Sequence, residues 1–409
     1  MLRNAESKGL LSHRTKTIKT NQTGAINMAD NLTAQLDIND PLMKGRLTSS
    51  PKKLAELPLA TNNPYDPETS PSDILKYLPP DGSMFGLYAD PYATMVFYQP
   101  REGNHSGKYW LNERMEKHSF TDKELNLIDF LSTNRIATRN QIQRVVFEHE
   151  DSDLKIRDFI KKCRKRGIIT AFSWVTPCNN GKKKPLIYGL TRIGAAAAQV
   201  LFQREVPKEF IFQPVVFNHS RGPKMSGFFH DLVSNELFSE FKRLDRVISW
   251  ERKPSIRLKD GTTHKPGIAT ELIKDKGQFL TFWVEIFRIT PDWIEHVTSR
   301  FQKTQLAFEK LPLQEQPKRV IVILDSDSRI PYIARLAEEH MPSVEVRYTT
   351  DERLLMGIGV DSFLLYDHQT NQMKRSPINF LSDDYAGMSA TEFFASQTFE
   401  IEDEDEFEE

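Results

Sequence analysis

A proline–glycine pair and a glutamate lie in two apolar segments that a short polar stretch separates. Pro266 and Gly267 occur in THKPGIATEL and Glu285 in FWVEIFRIT, with IKDKGQF between them. If both segments are strands of one hairpin, Gly267 comes close to Glu285. A metal-dependent nuclease keeps its acidic ligands in such a place, and it needs at least two oxygen ligands for the ion. Gly267 supplies no carboxylate, so the pattern raises the question of whether the protein cuts nucleic acid or only holds it.

Other ionisable residues occur near this pair without completing a site. The strand and turn pattern places none of four nearby acids beside Glu285: Glu251, Asp260, Glu271 and Asp275. His230 and Glu236 lie on a predicted helix, where a local partner is a more common role than catalysis. The sequence therefore predicts no metal and no cofactor. Glu285 remains a vestigial catalytic candidate. The sequence does not decide whether the protein is an enzyme, but it favours the absence of enzymatic activity.

The segment from Phe120 to Gln203 is basic, although the whole chain has a formal net charge of −1. It contains 15 Lys and Arg against 8 Asp and Glu. The excess is concentrated in KKCRKR and in GKKK. Together with Arg157, which precedes the first motif, the candidate DNA-binding residues are Arg157, Lys161, Lys162, Arg164, Lys165, Arg166, Lys182, Lys183 and Lys184. Such clusters are typical of surfaces that pair with backbone phosphates and release counterions. A solvated charged face is the competing explanation.

The elements that must position these cations can be read from caps and periodicity. Thr121 with Glu124 and Thr138 with Gln141 match capping boxes that begin two helices. A third helix, near residues 153–166, has apolar residues on one side (Ile156, Phe159, Ile160 and Cys163) and ends at Gly167. A strand IITAFSWV, the turn TPCNNGKKKP, a strand LIYGL and a helix capped by Thr191 follow. Three helices and a hairpin predict a winged helix-turn-helix, with an unspecialised bundle as the alternative.

The second half alternates helices and strands in a different order. A helix FFHDLVSNELFSEFKRLD precedes strands at VISWERKP, HKPGIATEL and FLTFWVEIF, a helix from about 291 to 311, and the strand RVIVILD. Helix, three strands, helix, strand suits the α/β sandwich of PD-(D/E)XK nucleases. The predicted fold class is thus α+β or α/β with several domains: a winged helix-turn-helix followed by a three-layer nuclease-like α/β domain.

Across residues 120–345 the chain resembles the replication-relaxation family of bacterial plasmids and mobile elements. The matching segments are FTDKELNLIDFLSTNRIATRNQI, IYGLTRIGAAAA, FHDLVSNEL, and the proline with VEIFR. The resemblance implies a winged-helix DNA-binding module joined to a nuclease-like domain, acting on plasmid DNA in replication control or mobilisation.

The departures from that family concern its acids. In the family pattern an acid commonly follows the proline and the later strand is similar to E-x-D-R, whereas here those positions are Gly267 and Phe287. Glu285 and Arg288 remain. The expected function is therefore a DNA-binding accessory or regulatory protein of plasmid replication, relaxation or conjugative transfer, without nuclease activity. The alternatives are a metal-dependent nuclease with a rearranged acid set, and an interaction adaptor or transcriptional regulator.

The composition limits where in the cell the protein is expected to act. Two cysteines, Cys163 and Cys178, form no disulfide framework or zinc motif, and no apolar run approaches the roughly 18 residues of a membrane span. A cytoplasmic protein without a membrane partner is expected, and its oligomeric state is left open. The predicted divisions are a disordered basic arm (1–72), a small uncertain segment (73–118), the winged-helix domain (119–205), the nuclease-like domain (225–385) and an acidic disordered tail (386–409).

The tail ends in EIEDEDEFEE, in which 8 of 10 residues are acidic. Three roles are possible for it: a solubilising tail, a tethered competitor of non-specific DNA, or a docking peptide for replication or relaxosome proteins. Ile401 and Phe407 are the anchors expected for a docking peptide.

Overall fold

The computed structural model describes residues 87–90, 93–97, 107–147, 151–175, 184–212, 223–288 and 292–404. The predicted N-terminal arm lies outside these ranges, as do Cys178, Lys182 and Lys183. The α-helices of the described part are α1 (Gly107–Glu116), α2 (Asp122–Asn134), α3 (Arg139–Val146), α4 (Asp153–Lys165), α5 (Arg192–Phe202), α6 (Ser226–Arg243), α7 (Trp293–Lys310), α8 (Ile330–His340), α9 (Asp351–Leu355) and α10 (Ala390–Glu404).

The strands of the described part fall into three sheets. They are β1 (Thr94–Phe97), β2 (Ile136–Thr138), β3 (Ile169–Val175), β4 (Ile187–Leu190), β5 (Val247–Arg252), β6 (Ile256–Arg257), β7 (Thr263–His264), β8 (Ile268–Asp275), β9 (Gln278–Ile286), β10 (Arg319–Leu324), β11 (Val346–Thr350), β12 (Leu364–Asp367) and β13 (Gln372–Arg375). The protein is thus of mixed α and β structure, as the sequence predicts.

The first sheet is antiparallel throughout and has the strand order β1-β3-β4-β2. Strands β3 and β4 form the predicted hairpin, and the short β2 between α2 and α3 pairs with β4. Strand β1 comes from the segment 73–118, whose structure the sequence leaves uncertain. It pairs with β3, Phe97 lying opposite Phe172. Strand pairing between distant segments leaves no local signal in the sequence.

The helix starts that the caps predict are confirmed. Both capping boxes are present, with Thr121 and Glu124 at α2 and with Thr138 and Gln141 at α3. Helix α4 ends at Lys165, and Gly167, two residues later, has φ +70°. There the amide of Ile168 donates to the carbonyl of Cys163, as in a Schellman motif.

The second sheet has seven strands in the order β13-β12-β11-β10-β9-β8-β5. Strands β9, β10 and β11 are parallel neighbours, and the remaining pairs are antiparallel. Alternate residues of β10 face opposite sides, because side chains of a strand alternate. Ile321 and Ile323 join the core that contains α6, whereas Val320, Val322 and Leu324 join the core that contains α7 and α8. Helices therefore cover both faces of the sheet.

Helix α6 is buried along nearly its whole length and contacts both sheet regions. Asn235 donates to the carbonyls of Asn134 and Ile136 in the first region. On the other side, Phe238 packs on Trp250 of β5, with ring centroids 5.1 Å apart. The hydrophobic core on this side is continuous from Tyr88 to Leu381.

The C-terminal segment differs from the prediction of a disordered tail from residue 386. Residues 390–404 form α10, and only 405–409 lie outside the described residues. The helix begins at a capping pair in which Ser389 and Glu392 exchange side-chain-to-backbone hydrogen bonds. Phe393 packs on Phe279, with ring centroids 5.1 Å apart. This cap and this contact order a segment that its charge block alone would leave disordered.

Candidate nucleic-acid interface and the residual acidic site

Helix α4 separates an apolar side from a basic side. Ile156, Ile160 and Cys163 are buried, and burial raises the pKa of the Cys163 thiol to about 12. Arg157, Lys161 and Lys165 are exposed at intervals of four residues, so they lie along one stripe of the helix. Within the described residues none of these three has an ion-pair partner. We call them the α4 stripe.

The other predicted cations of this helix have different surroundings. Lys162 is exposed on the flank of the α4 stripe, and Arg164 is partly buried. Arg166 donates to the buried Glu124 carboxylate at 2.7 Å. Since Glu124 is also the acid of the α2 capping box, this arginine holds two helices together and is occupied. It is therefore left out of the candidate interface.

The predicted hairpin tip is described only in part. Strands β3 and β4 are in register from Ile169 with Leu190 to Phe172 with Ile187, so the connection between them begins after Val175. Lys182 and Lys183 lie outside the described residues, and Lys184 is the first described residue before β4.

Gly267 and Glu285 do lie together, as the sequence predicts. The amide of Gly267 donates to Oε1 of Glu285 at 3.1 Å, and Nε of Arg300 donates to Oε2 at 2.8 Å. Burial raises the pKa of Glu285, whereas Arg300 and the Gly267 amide oppose that change. Both oxygens of this carboxylate are therefore engaged by protein donors.

The remaining acids do not converge on Glu285. Glu271 pairs with Thr281 and Asp275 with Gln278, which places both further along the hairpin from Gly267. Glu251 is exposed on β5, and Asp260 binds Lys310. Across the described ranges, no group of three or more His, Cys, Asp or Glu residues is arranged to hold a metal ion.

The surroundings of His230 and Glu236 on α6 explain both residues without a catalytic role. Glu236 accepts hydrogen bonds from Gln141 and Arg144 of α3, so the ordinary explanation for this acid holds. Burial lowers the pKa of His230 to about 4, which keeps the imidazole neutral at pH 7.

A group of buried charges that the sequence analysis missed lies at the carboxyl ends of β9, β10 and β11. We call it the carboxyl-edge cluster. Arg288 donates to Asp351 at 2.6 Å, Arg329 pairs with Asp325, and Arg353 donates two hydrogen bonds to Asp327 at 3.0 and 2.8 Å. Its members are Arg288, Asp325, Asp327, Arg329, Asp351 and Arg353. Three acids thus face three arginines.

Within this cluster Asp351 has an unusual titration. Burial and the nearby Asp325 raise its pKa to about 7, although Arg288 opposes the change. One oxygen of Asp351 and one of Asp325 have no hydrogen-bond partner. The signal in the sequence was an acid directly after a buried strand, in RVIVILDSDSR and in VRYTTDER, because parallel strands end at one edge of their sheet.

Comparison of the chain with protein-family models, with curated proteins and with solved structures finds no match. None of the described helices is long and apolar enough to cross a membrane. The assignment of a function therefore depends on the geometry.

Proposed function

We propose that the protein binds duplex DNA through α4 and the β3–β4 hairpin, and that its seven-stranded region does not cleave DNA. The observation that carries the proposal is the α4 stripe. Three exposed cations without ion-pair partners among the described residues lie opposite a buried apolar side. Such a surface can exchange its counterions for backbone phosphates, which supplies most of the free energy of non-specific DNA binding.

The order of elements supports a winged-helix arrangement. Helix α2, strand β2, helices α3 and α4, and strands β3 and β4 follow one another, with β2 against β4 in the sheet. In this arrangement α4 is the recognition helix and the β3–β4 connection is the wing, where Lys182, Lys183 and Lys184 would contact the backbone.

The second region supports a nuclease-like scaffold without its metal. The order α6, β5, β8, β9, α7, β10, with β10 parallel to β9, is that of the proposed PD-(D/E)XK core. A divalent ion at Glu285 would have to displace both the Arg300 guanidinium and the Gly267 amide, and the described residues contain no group of three or more His, Cys, Asp or Glu that could hold a metal ion. The proposal of a non-cutting accessory protein in plasmid replication, relaxation or transfer rests on this feature and on the family resemblance.

The interface can be tested by replacing the α4 stripe with glutamine: Arg157→Gln, Lys161→Gln and Lys165→Gln together. A matched control replaces three exposed lysines outside α4, which lie in the last turn of α6, between β8 and β9, and before β10: Lys242→Gln, Lys276→Gln and Lys318→Gln. Both variants lose three positive charges. The slope of log K against log salt for a duplex should fall by about 0.9 for each phosphate that is no longer neutralised, so by up to about 2.7 for the α4 stripe variant.

The control variant should keep the slope of the original protein, and both should keep its melting temperature because all six residues are exposed. Equal slopes for the two variants would refute the α4 interface. Magnesium- or manganese-dependent nicking of supercoiled DNA by the original protein, lost in Glu285→Gln, would refute the non-cutting assignment.

A further inference from the structure

Strands β6 and β7 form a two-stranded ribbon that is separate from the seven-stranded sheet. Ile256 lies opposite His264, and Arg257 opposite Thr263. The inner side of the ribbon packs on the core beside α7: Leu258 is buried there, and His264 stacks against Trp283 with ring centroids 4.9 Å apart. The opposite side of the ribbon is consequently its outer face.

Cations occupy the outer face of the ribbon. Arg257, Lys259 and Lys265 are exposed at positions that alternate with the buried Leu258 and His264. None of the three has an ion-pair partner in the part of the chain that the structure describes. We call them the ribbon cations. Arg257 is the last residue of β6, Lys259 lies in the turn that follows, and Lys265 comes directly after β7.

The carboxylates next to the ribbon are already bound to cations. Asp260 at its tip binds Lys310 and accepts hydrogen bonds from Thr262. Glu285 at its base is buried under Arg300 and the Gly267 amide. An approaching phosphate therefore meets unpaired cations, while both of these acids are already paired with cations.

We infer that the ribbon cations bind the phosphate backbone of duplex DNA, and so form a second DNA contact, in the seven-stranded region, in addition to that of the α4 stripe. This inference rests on the proposed function for the identity of the ligand, but it concerns a different surface with its own residues.

The outer face favours nucleic acid over an acidic protein. A protein interface generally includes a buried aromatic or aliphatic anchor within a polar rim. The large exposed apolar side chains of the described residues do not include any from residues 256–265. The ribbon thus offers charge without an apolar anchor, which suits a phosphate backbone of uniform charge.

The test uses the chain of 409 residues with Arg257→Gln, Lys259→Gln and Lys265→Gln together, beside the α4 stripe variant and the same control at Lys242, Lys276 and Lys318. Binding of a fluorescent duplex of random sequence is titrated over a series of salt concentrations. The ribbon variant should lower the salt slope by about 0.9 per phosphate released, up to about 2.7, and this decrease should add to that of the α4 stripe variant. The double variant Lys259→Gln with Lys265→Gln serves if the triple variant melts at a lower temperature.

The outcomes separate this inference from the proposed function. A slope equal to that of the control, with a lower slope for the α4 stripe variant, overturns the ribbon contact and leaves the α4 interface in place. A lower slope for the ribbon variant alone supports the ribbon and refutes the α4 interface. Equal loss of binding to polyglutamate and to the duplex would show a general anion surface and overturn the assignment to DNA.

Discussion

The cations of the α4 stripe and the arginines of the carboxyl-edge cluster differ in what surrounds them. Arg157, Lys161 and Lys165 are exposed and have no ion-pair partner among the described residues, whereas Arg353 is buried with both donors of its fork on Asp327. The first arrangement leaves charge available for a ligand. In the carboxyl-edge cluster the arginine charges are paired with buried carboxylates inside the fold, where an unpaired charge is costly. Charge type alone therefore does not separate a binding surface from a structural cluster; burial and pairing do.

The largest expected effect is on stability, from breaking the carboxyl-edge cluster. Arg353→Met should lower the free energy of unfolding by about 3–5 kcal/mol, because it leaves the Asp327 carboxylate buried without that guanidinium. Denaturant unfolding measures the change. Arg157→Met on the exposed stripe should stay within about 0.5 kcal/mol. Similar losses for both variants would remove the distinction between the two regions.

A smaller loss is expected at the residual acidic site. A Cβ at position 267 would lie 2.6 Å from the carbonyl oxygen of Val284 and 3.2 Å from Oε2 of Glu285. Gly267→Asp should therefore lower the free energy of unfolding by about 1–3 kcal/mol and should not create magnesium-dependent cleavage.

The matched control for this variant is Gly227→Asp, since a Cβ at Gly227 meets nothing within 4 Å. It should be close to neutral in the same unfolding measurement. Metal-dependent cleavage by Gly267→Asp would show that the scaffold can rebuild its site and that the Arg300 contact is no obstacle.

The pH dependence of the free energy of unfolding should also distinguish the buried carboxyl-edge cluster from the exposed α4 stripe. The pKa of Asp351 is about 7 in the folded protein, above the ordinary value of 3.8, because of burial and Asp325. The folded state thus keeps a proton that the unfolded state loses, so this group's contribution to stability declines as pH rises from about 4 to about 7.

Asp351→Asn removes that titration and should flatten the decline by up to about 1.4 kcal/mol per pH unit. Arg288, Asp325 and Arg329 face the group and stay in place. Denaturant unfolding at several pH values measures the slope, with the exposed Asp361→Asn as a control. An unchanged slope in Asp351→Asn would assign the pH dependence to other groups.

The smallest expected effect concerns the acidic C-terminus. Deletion of residues 400–409 should raise the affinity for random duplex a few-fold at low salt, because it removes eight acids that compete with DNA for the cations. The gain should fade as salt screens both charges. Unchanged affinity together with lost capture of a replication or transfer protein would instead indicate a docking peptide.

Local signals predicted much of the fold. Thr121 and Thr138 mark helix starts through side chains that bond within three residues, and Gly167 marks a helix end by its positive φ. The pair Ser389 and Glu392 carries the same kind of signal, but the acidic run after it favours disorder and masks the helix start.

The contacts of Glu285 and of the carboxyl-edge cluster were harder to predict from the sequence. The closeness of Gly267 and Glu285 followed from a short hairpin, whereas the partner of Glu285 is Arg300 on a helix that begins after the hairpin ends. Pairs such as Arg288 with Asp351 join residues 63 positions apart. Such contacts depend on the strand order of the sheet, which local periodicity does not encode.

Helix α6 has a consequence for how the molecule can be divided. Arg144 of α3 binds Glu240, and the other oxygen of Glu240 accepts from the amide of Ile358, which follows α9. One buried side chain thus links the helical region to the segment after α9, which belongs to the same core as α6. A cut between residues 212 and 226 would leave the first half with exposed apolar and polar surfaces that α6 normally covers. We expect a single cooperative unfolding transition and no stable proteolytic half, so separate expression of the two regions should yield insoluble protein unless α6 accompanies both.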